Sequence, residues 1–279
     1  NFLIGYREMF KSASWLKKNI NNENIKILDA SWYLPNSDRN NFKEYNLECV
    51  PKSVFFDIDK ICDQKSLLPH MIPSQKYFEK RVSKLGISKR NIIIVYCKEG
   101  IMSSPRVWWM FRYFGHKNVF VLNGGFKAWK LSNGKTVKGR QVIIKKSNYK
   151  CNRIKKEYLI KYEELIYKIK NNSATIADAR PQERFLELVP EPRKNIGSGK
   201  IQNSLNLPFN IFDINGFIKS KSLLRKIFFN KIENKKLLVC SCGSGISACT
   251  LAIALAYIGR NTWTVFDGSW TEWFIKTKN

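Results

Sequence analysis

Cys242 ends an apolar run, KLLVCSC, and is followed by Gly243-Ser244-Gly245 and a second long apolar stretch, ISACTLAIALAYIG. A cysteine delivered by a buried strand into a glycine turn has the setting of a nucleophile, because sites in open parallel sheets form at the carboxyl ends of strands. Only a few per cent of a free cysteine is thiolate near neutral pH, so such a site must surround its sulfur with donors. A helix N-terminus alone contributes about 0.3–1 kcal/mol. The helix expected to begin near Ile246 therefore has to be helped by the backbone amides of Gly243, Gly245 and Ile246 and by the hydroxyls of Ser244 and Ser247. Cys240 and Cys249 fall at apolar packing positions. A phosphatase loop would place an arginine at the sixth position after its cysteine, but Ala248 stands there and the next arginine is Arg260.

The remaining composition narrows the chemistry. Seven cysteines, an odd number scattered along 279 residues, form no disulfide framework, and Cys240-Ser241-Cys242 is too short for a CxxC pair. His70 and His116 are the only histidines, so neither a metal site nor any other cofactor is expected. The formal net charge of +27 is spread along the chain rather than gathered into a basic helix. Lysine outnumbers arginine and asparagine and isoleucine are abundant, as AT-rich codons would produce. A nucleic-acid partner is not expected, although the field favours anionic substrates. No segment reaches the roughly 20 apolar residues of a membrane span, and charges interrupt the first twenty residues where a secretory signal would lie. The expectation is a cytoplasmic protein with no membrane partner.

The elements that must hold Cys242 come from an internal repeat. IKILDAS (25–31) pairs with ATIADAR (174–180), SVFFDID (53–59) with SLNLPFN (204–210), NIIIVYC (91–97) with KLLVCSC (236–242), and VLNGGFKAW with VFDGSWTEW. The pairs keep their order at a domain-sized offset of about 145 to 150 residues, which points to a duplicated fold. Strands that are apolar throughout, alternating with helical stretches, predict parallel sheets covered on both faces. The division expected is a first domain at 1–136, a polar linker at 137–152 and a second domain at 153–279. Trp108, Trp109, Phe111, Phe114, Trp270 and Trp273 are expected in the cores.

The loop CGSGISAC resembles the active loop of the 3-mercaptopyruvate sulfurtransferases, two-domain members of the rhodanese family. Further similar pieces follow in order: DASWYLP (29–35), VFFDID (54–59), LPHM (68–71), SSPRVWWMFRYFG (103–115), DARPQERF (178–185), EPR (191–193) and DGSWTEW (267–273). The resemblance implies an α/β fold of tandem rhodanese-like domains, each a mainly parallel sheet flanked by helices, with a catalytically silent first copy. It implies Cys242 as the nucleophile, Ser244 as its loop partner, and Arg184 and Arg193 as contacts to the substrate carboxylate, a task that suits the planar arginine fork. The loop positions Gly243, Gly245, Ile246 and Ser247 complete the expected substrate site. Sulfur would pass from 3-mercaptopyruvate to a Cys242 persulfide and on to thioredoxin, a small thiol or cyanide.

The departures are equally specific. CVPKS replaces a HIPGA-like segment, so Cys49 is read as replacing a histidine that relays protons between an aspartate, matched to Asp38, and Ser244, and the relay is expected to be broken at its centre. Lys200 lies in an altered GKIQNS segment, and Glu183 is placed to draw Arg184 away from a carboxylate. Cys97 ends the corresponding strand of the first copy and is read as non-catalytic. A thiosulfate sulfurtransferase, whose loop would carry Arg and Lys where Gly243 and Ser244 stand, is the alternative enzyme. A decayed rhodanese-like binding module is the alternative outside catalysis.

Overall fold

The computed structural model describes residues 8–139, 144–230, 232 and 236–278. Residues 1–7, 140–143, 231, 233–235 and 279, which the expected domain and linker ranges include, lie outside the described residues. Five parallel strands form the first sheet: β1 (Phe10–Lys11), β2 (Ile25–Asp29), β3 (Ser53–Phe55), β4 (Ile92–Tyr96) and β5 (Val119–Leu122), in spatial order β1-β5-β4-β2-β3. The second contains β6 (Leu159–Ile160), β7 (Ala174–Asp178) and β8 (Ser204–Asn206). After a hairpin of β9 (Asp213–Ile214) and β10 (Phe217–Ile218), it is completed by β11 (Leu237–Ser241) and β12 (Trp263–Phe266). Its order, β6-β12-β11-β7-β8, is the first order repeated strand for strand, again all parallel. The tandem α/β fold is therefore the observed architecture.

Helices α1 (Ala13–Asn19), α2 (Asn41–Leu47), α3 (Gln75–Lys84), α4 (Ser104–Tyr113) and α5 (Gly125–Leu131) accompany the first sheet. Helices α6 (Tyr162–Lys170), α7 (Gln182–Phe185), α8 (Lys221–Phe229), α9 (Ala248–Tyr257) and α10 (Ser269–Lys278) accompany the second. Ser12, Ser74 and Ser220 cap α1, α3 and α8 by accepting the amides of Trp15, Tyr77 and Leu223. None of the described helices is long and apolar enough to cross a membrane.

Helices α4 and α9 are apolar around most of their circumference because they pack on each other between the two sheets. One continuous core contains Phe56, Val95 and Phe111 of the first domain and Leu238, Leu251 and Ile253 of the second. Trp108 meets Trp263 across this interface at a ring separation of 6.2 Å. Each such large apolar side chain contributes about 1.5–3 kcal/mol when buried, so the halves share their stabilisation. Trp270 and Trp273 join the outer core of the second domain.

Two connections tighten the arrangement. The described part of the 137–152 segment lies on the first domain: Ser147 and Tyr149 donate backbone amides to Ser83, and the Tyr149 ring is buried against His116. The β9–β10 hairpin reaches from the second domain to the first, where Ile218 donates its amide to Asn123 Oδ1 at 2.8 Å. Phe217 covers Gly124 so closely that a Cβ there would stand 2.6 Å from the ring.

Candidate active site

Cys242 leaves the end of β11 and is 2 % exposed. Its sulfur accepts the Gly245 N–H at 3.2 Å, and Ser269 Oγ lies 3.9 Å away. Gly245 is required here: its φ of +80° is left-handed, and a Cβ would stand 2.4 Å from Asp267 O. Helix α9 starts at Ala248, two residues later than the expected start near Ile246. The intervening residues form tight turns, with Cys249 N bonded to Ile246 O and Thr250 N to Ser247 O. The donor at the sulfur is thus a loop amide ahead of the helix.

The first copy supplies a control within the same chain. Cys97 occupies the matching place after β4, but its thiol faces the carbonyls of Glu99 and Gly100 at 3.5 and 3.4 Å. Carbonyls accept a proton from a thiol and repel a thiolate, the reverse of the Gly245 contact. At the start of the helix after the next strand, Gly125 of α5 adopts φ +56° in the first copy, whereas Ser269 of α10 adopts φ +52° in the second. A left-handed backbone costs a non-glycine residue about 1–3 kcal/mol. In return, Ser269 Oγ accepts the Cys242 backbone amide at 3.0 Å and donates to Phe266 O at 2.8 Å.

The expectation that the relay is broken at Cys49, with Asp38 as its aspartate, is corrected by the geometry, which brings another histidine and another aspartate to Ser244. Cys49 is buried among Tyr45, Phe55 and Val137, with its backbone bridged to Val137, and Asp38 is exposed on the loop before α2. The imidazole beside Ser244 belongs to His70: Nδ1 lies 3.1 Å from Ser244 Oγ, and Nε2 lies 2.9 Å from Asp59 Oδ1. With Nε2–H donated to the carboxylate, Nδ1 accepts the serine hydroxyl. Trp32 completes the support by donating Nε1–H to Asp59 at 3.0 Å and standing edge-on to the imidazole.

His70 also carries a strained backbone, with φ +62°. Burial pushes its pKa down, and the Asp59 bond only partly offsets this, which leaves a neutral imidazole at neutral pH. Burial works to raise the Asp59 carboxyl, but its bonds to His70 and Trp32 and the nearby cations hold it below the usual carboxylate value. Both residues lie within segments singled out in the sequence, Asp59 in VFFDID and His70 in LPHM. Their juxtaposition with Ser244 is visible only in the fold.

Arg193 donates to Ser244 Oγ at 3.0 Å from the loop after α7. Arg184 pairs with Glu191, not with Glu183, whose side chain is exposed. Glu191 in turn receives Arg180, and buried Arg180 is held by Asp178, so the guanidinium of Arg184 is anchored through a chain of ion pairs. Lys200 lies over the Phe185 ring. Arg184, Arg193, Cys242, Gly243, Ser244, Ile246 and Ser247 all border one cavity of about 160 Å³. Gly245 lies behind the sulfur. Trp32, Leu34 and Met102 of the first domain supply apolar wall. A wider groove of about 880 Å³ adjoins it, with Pro192, Arg193 and Thr271 bordering both. Among the described residues, no group of three or more His, Cys, Asp or Glu could hold a metal ion.

Comparison with known proteins places this geometry. The rhodanese-like domain family matches residues 12–132 and again 161–276. The chain is 38% identical over 293 residues to thiosulfate/3-mercaptopyruvate sulfurtransferase 1, mitochondrial, of Arabidopsis thaliana, covering 97% of this chain and 77% of that one. It is 38% identical over 272 residues to thiosulfate sulfurtransferase of Rattus norvegicus, covering 94% and 91%. The crystal structure of SseA from Escherichia coli, described among 3-mercaptopyruvate sulfotransferases, superposes with a TM-score of 0.82 at 32% identity, covering 95% of this chain and 99% of that one. With the same domain matched once on each sheet and sulfur transfer named in these relatives, the chain belongs to the rhodanese family of sulfurtransferases.

Proposed function

We propose that the chain takes sulfur from 3-mercaptopyruvate onto Cys242 and releases pyruvate. The observation that carries this reading is the Asp59–His70–Ser244 line, which reaches the loop that holds Cys242. The Cys242 thiolate attacks the substrate sulfur, the carbon–sulfur bond breaks, and its electron pair passes to carbon as the pyruvate enolate. Ser244 takes the proton of the substrate thiol, His70 Nδ1 accepts it and returns it through Ser244 to that carbon, leaving an anionic persulfide and pyruvate. Sulfite leaving from thiosulfate needs no such proton.

The cations also suit a carboxylate set back from the sulfur. Arg193 and Arg184 border the cavity, and a Cβ at position 243 would stand 2.7 Å from Arg184 Nη2. A long basic side chain there, as in a thiosulfate-type loop, would have to displace that guanidinium. The thiosulfate reading draws on the 38% identity to the rat thiosulfate sulfurtransferase. Of the departures behind the decayed-module alternative, Cys49 and Glu183 stand outside the contacts they were expected to disrupt, and Lys200 lies over the Phe185 ring.

The second half-reaction returns Cys242 to the thiol. Cyanide and small thiols fit the cavity, whereas thioredoxin would have to present its thiol from the adjoining groove. Small thiols are available in the cytoplasm and equally in mitochondria, the compartment in the Arabidopsis relative's name. Intact mass after incubation with each donor tests the assignment. One added sulfur and one pyruvate per chain from 3-mercaptopyruvate, with kcat/KM above that for thiosulfate, is the expected result; a preference for thiosulfate would overturn it.

A further inference from the structure

Arg106 breaks two local rules. It places a cation in the first turn of α4, where the helix dipole disfavours one, and it is 0 % exposed. Its Nε also has no hydrogen-bond partner among the described residues. Apolar residues often replace buried ion pairs without loss of stability, so this arginine calls for an explanation beyond packing.

Its remaining bonds supply one. Nη2 donates to the backbone carbonyl of His70, and Nη1 donates to Gly245 O at 3.1 Å and to Asp267 Oδ1 at 2.5 Å. Asp267 Oδ2 accepts the amide of Ile72 at 2.6 Å, two residues beyond His70. One guanidinium from the first domain thus grips the left-handed backbone of His70 and the loop residue whose amide faces the Cys242 sulfur. Trp109 lies beneath it, 4.6 Å from ring centroid to guanidinium carbon, and limits its movement.

We propose that Arg106 is a positioning residue for sulfur transfer: with Asp267 as counter-ion, it holds the strained His70 segment and the Cys242 loop in register across the domain interface. It touches neither substrate nor sulfur and acts through His70 and Gly245. The inference rests on the proton-relay reading above. A lysine would preserve the charge opposite Asp267, but a single ammonium cannot reproduce the planar fork that reaches both carbonyls.

The test is a double-variant cycle on the full chain with 3-mercaptopyruvate. Arg106→Lys is expected to lower kcat about 10- to 100-fold with KM changed less than about threefold. Added to His70→Asn, it should lower kcat by less than about threefold further, because its target is already gone. Asp267→Asn, whose single carbonyl oxygen can accept from Arg106 or from Ile72 but not from both, should show the same pattern and serves if Arg106→Lys does not fold. Full additivity with His70→Asn, unchanged kcat in Arg106→Lys, or failure of both variants to fold would each overturn the positioning role. Failure of the unaltered protein to gain sulfur from 3-mercaptopyruvate would instead sink the donor assignment, a separate and earlier outcome.

Discussion

His70 Nδ1 lies 3.1 Å from Ser244 Oγ although 174 positions separate the two residues and they belong to different domains. In the proposed reaction the nucleophile and the group that serves its leaving carbon are therefore contributed by different copies of one fold. Each can be removed without removing the other.

Removing the nucleophile gives the simplest expectation. Cys242→Ser should gain no sulfur from 3-mercaptopyruvate, while Cys97→Ser and Cys240→Ser should gain one atom like the unaltered chain. Intact mass reads this directly, and sulfur on Cys97 would reverse the roles assigned to the two domains.

Removing the relay should leave binding nearly intact. His70→Asn is expected to lower kcat for 3-mercaptopyruvate by about 10²- to 10⁴-fold, the usual contribution of a positioned acid or base. Cys49→Ala, at the place first matched to that histidine, should stay within about threefold. Steady-state kinetics of the two variants side by side would expose an error in the correction, since a large loss at Cys49 alone contradicts it.

Charge-assisted contacts to the carboxylate can be separated from chemistry through donor choice. Arg193→Ala or Arg184→Ala should remove about 1.5–3 kcal/mol, or roughly 10- to 150-fold in kcat/KM for 3-mercaptopyruvate. Glu191→Gln should resemble Arg184→Ala because it releases the guanidinium, whereas Glu183→Gln should be near normal. Matching effects of Glu183→Gln and Glu191→Gln would contradict the observed pairing.

Acid should weaken the fold through the buried histidines. Burial lowers the pKa of both His70 and His116, so below the unfolded value of about 6.5 the unfolded chain binds protons that the folded chain resists. Stability then falls with decreasing pH, by at most about 1.4 kcal/mol per pH unit for each histidine. Burial raises the Asp29 carboxyl and works in the opposite direction. Comparison with a variant is therefore needed: His116→Gln should show a shallower loss of denaturant stability between pH 6.5 and 5. A steeper loss in the variant would mean that His116 is protonated in the fold.

The sheets and the cysteine loop were legible because their signals are local. Apolar runs such as IIIVY and LLVCS specify buried parallel strands, and the repeat fixes their correspondence. The relay was not legible in the same way. Positional matching within one segment directed attention to Cys49, while Asp59 and His70 lay in quoted pieces without an assigned partner. Their role depends on how the 57–73 loop of the first domain crosses to the second, and no periodicity encodes that crossing. Arg184 shows the same limit on a smaller scale: adjacency suggested Glu183, but the turn after α7 returns Glu191 to it.

The β9–β10 hairpin bears on how many sulfur atoms the duplicated molecule should carry. Gly216 packs against Gly100, whose carbonyl faces the Cys97 sulfur, and Phe217 covers neighbouring Gly124. The second domain has thus stoppered the place where the first would have opened an active site of its own. Titration with excess donor should saturate at one sulfur per chain despite two sheets and two strand-end cysteines.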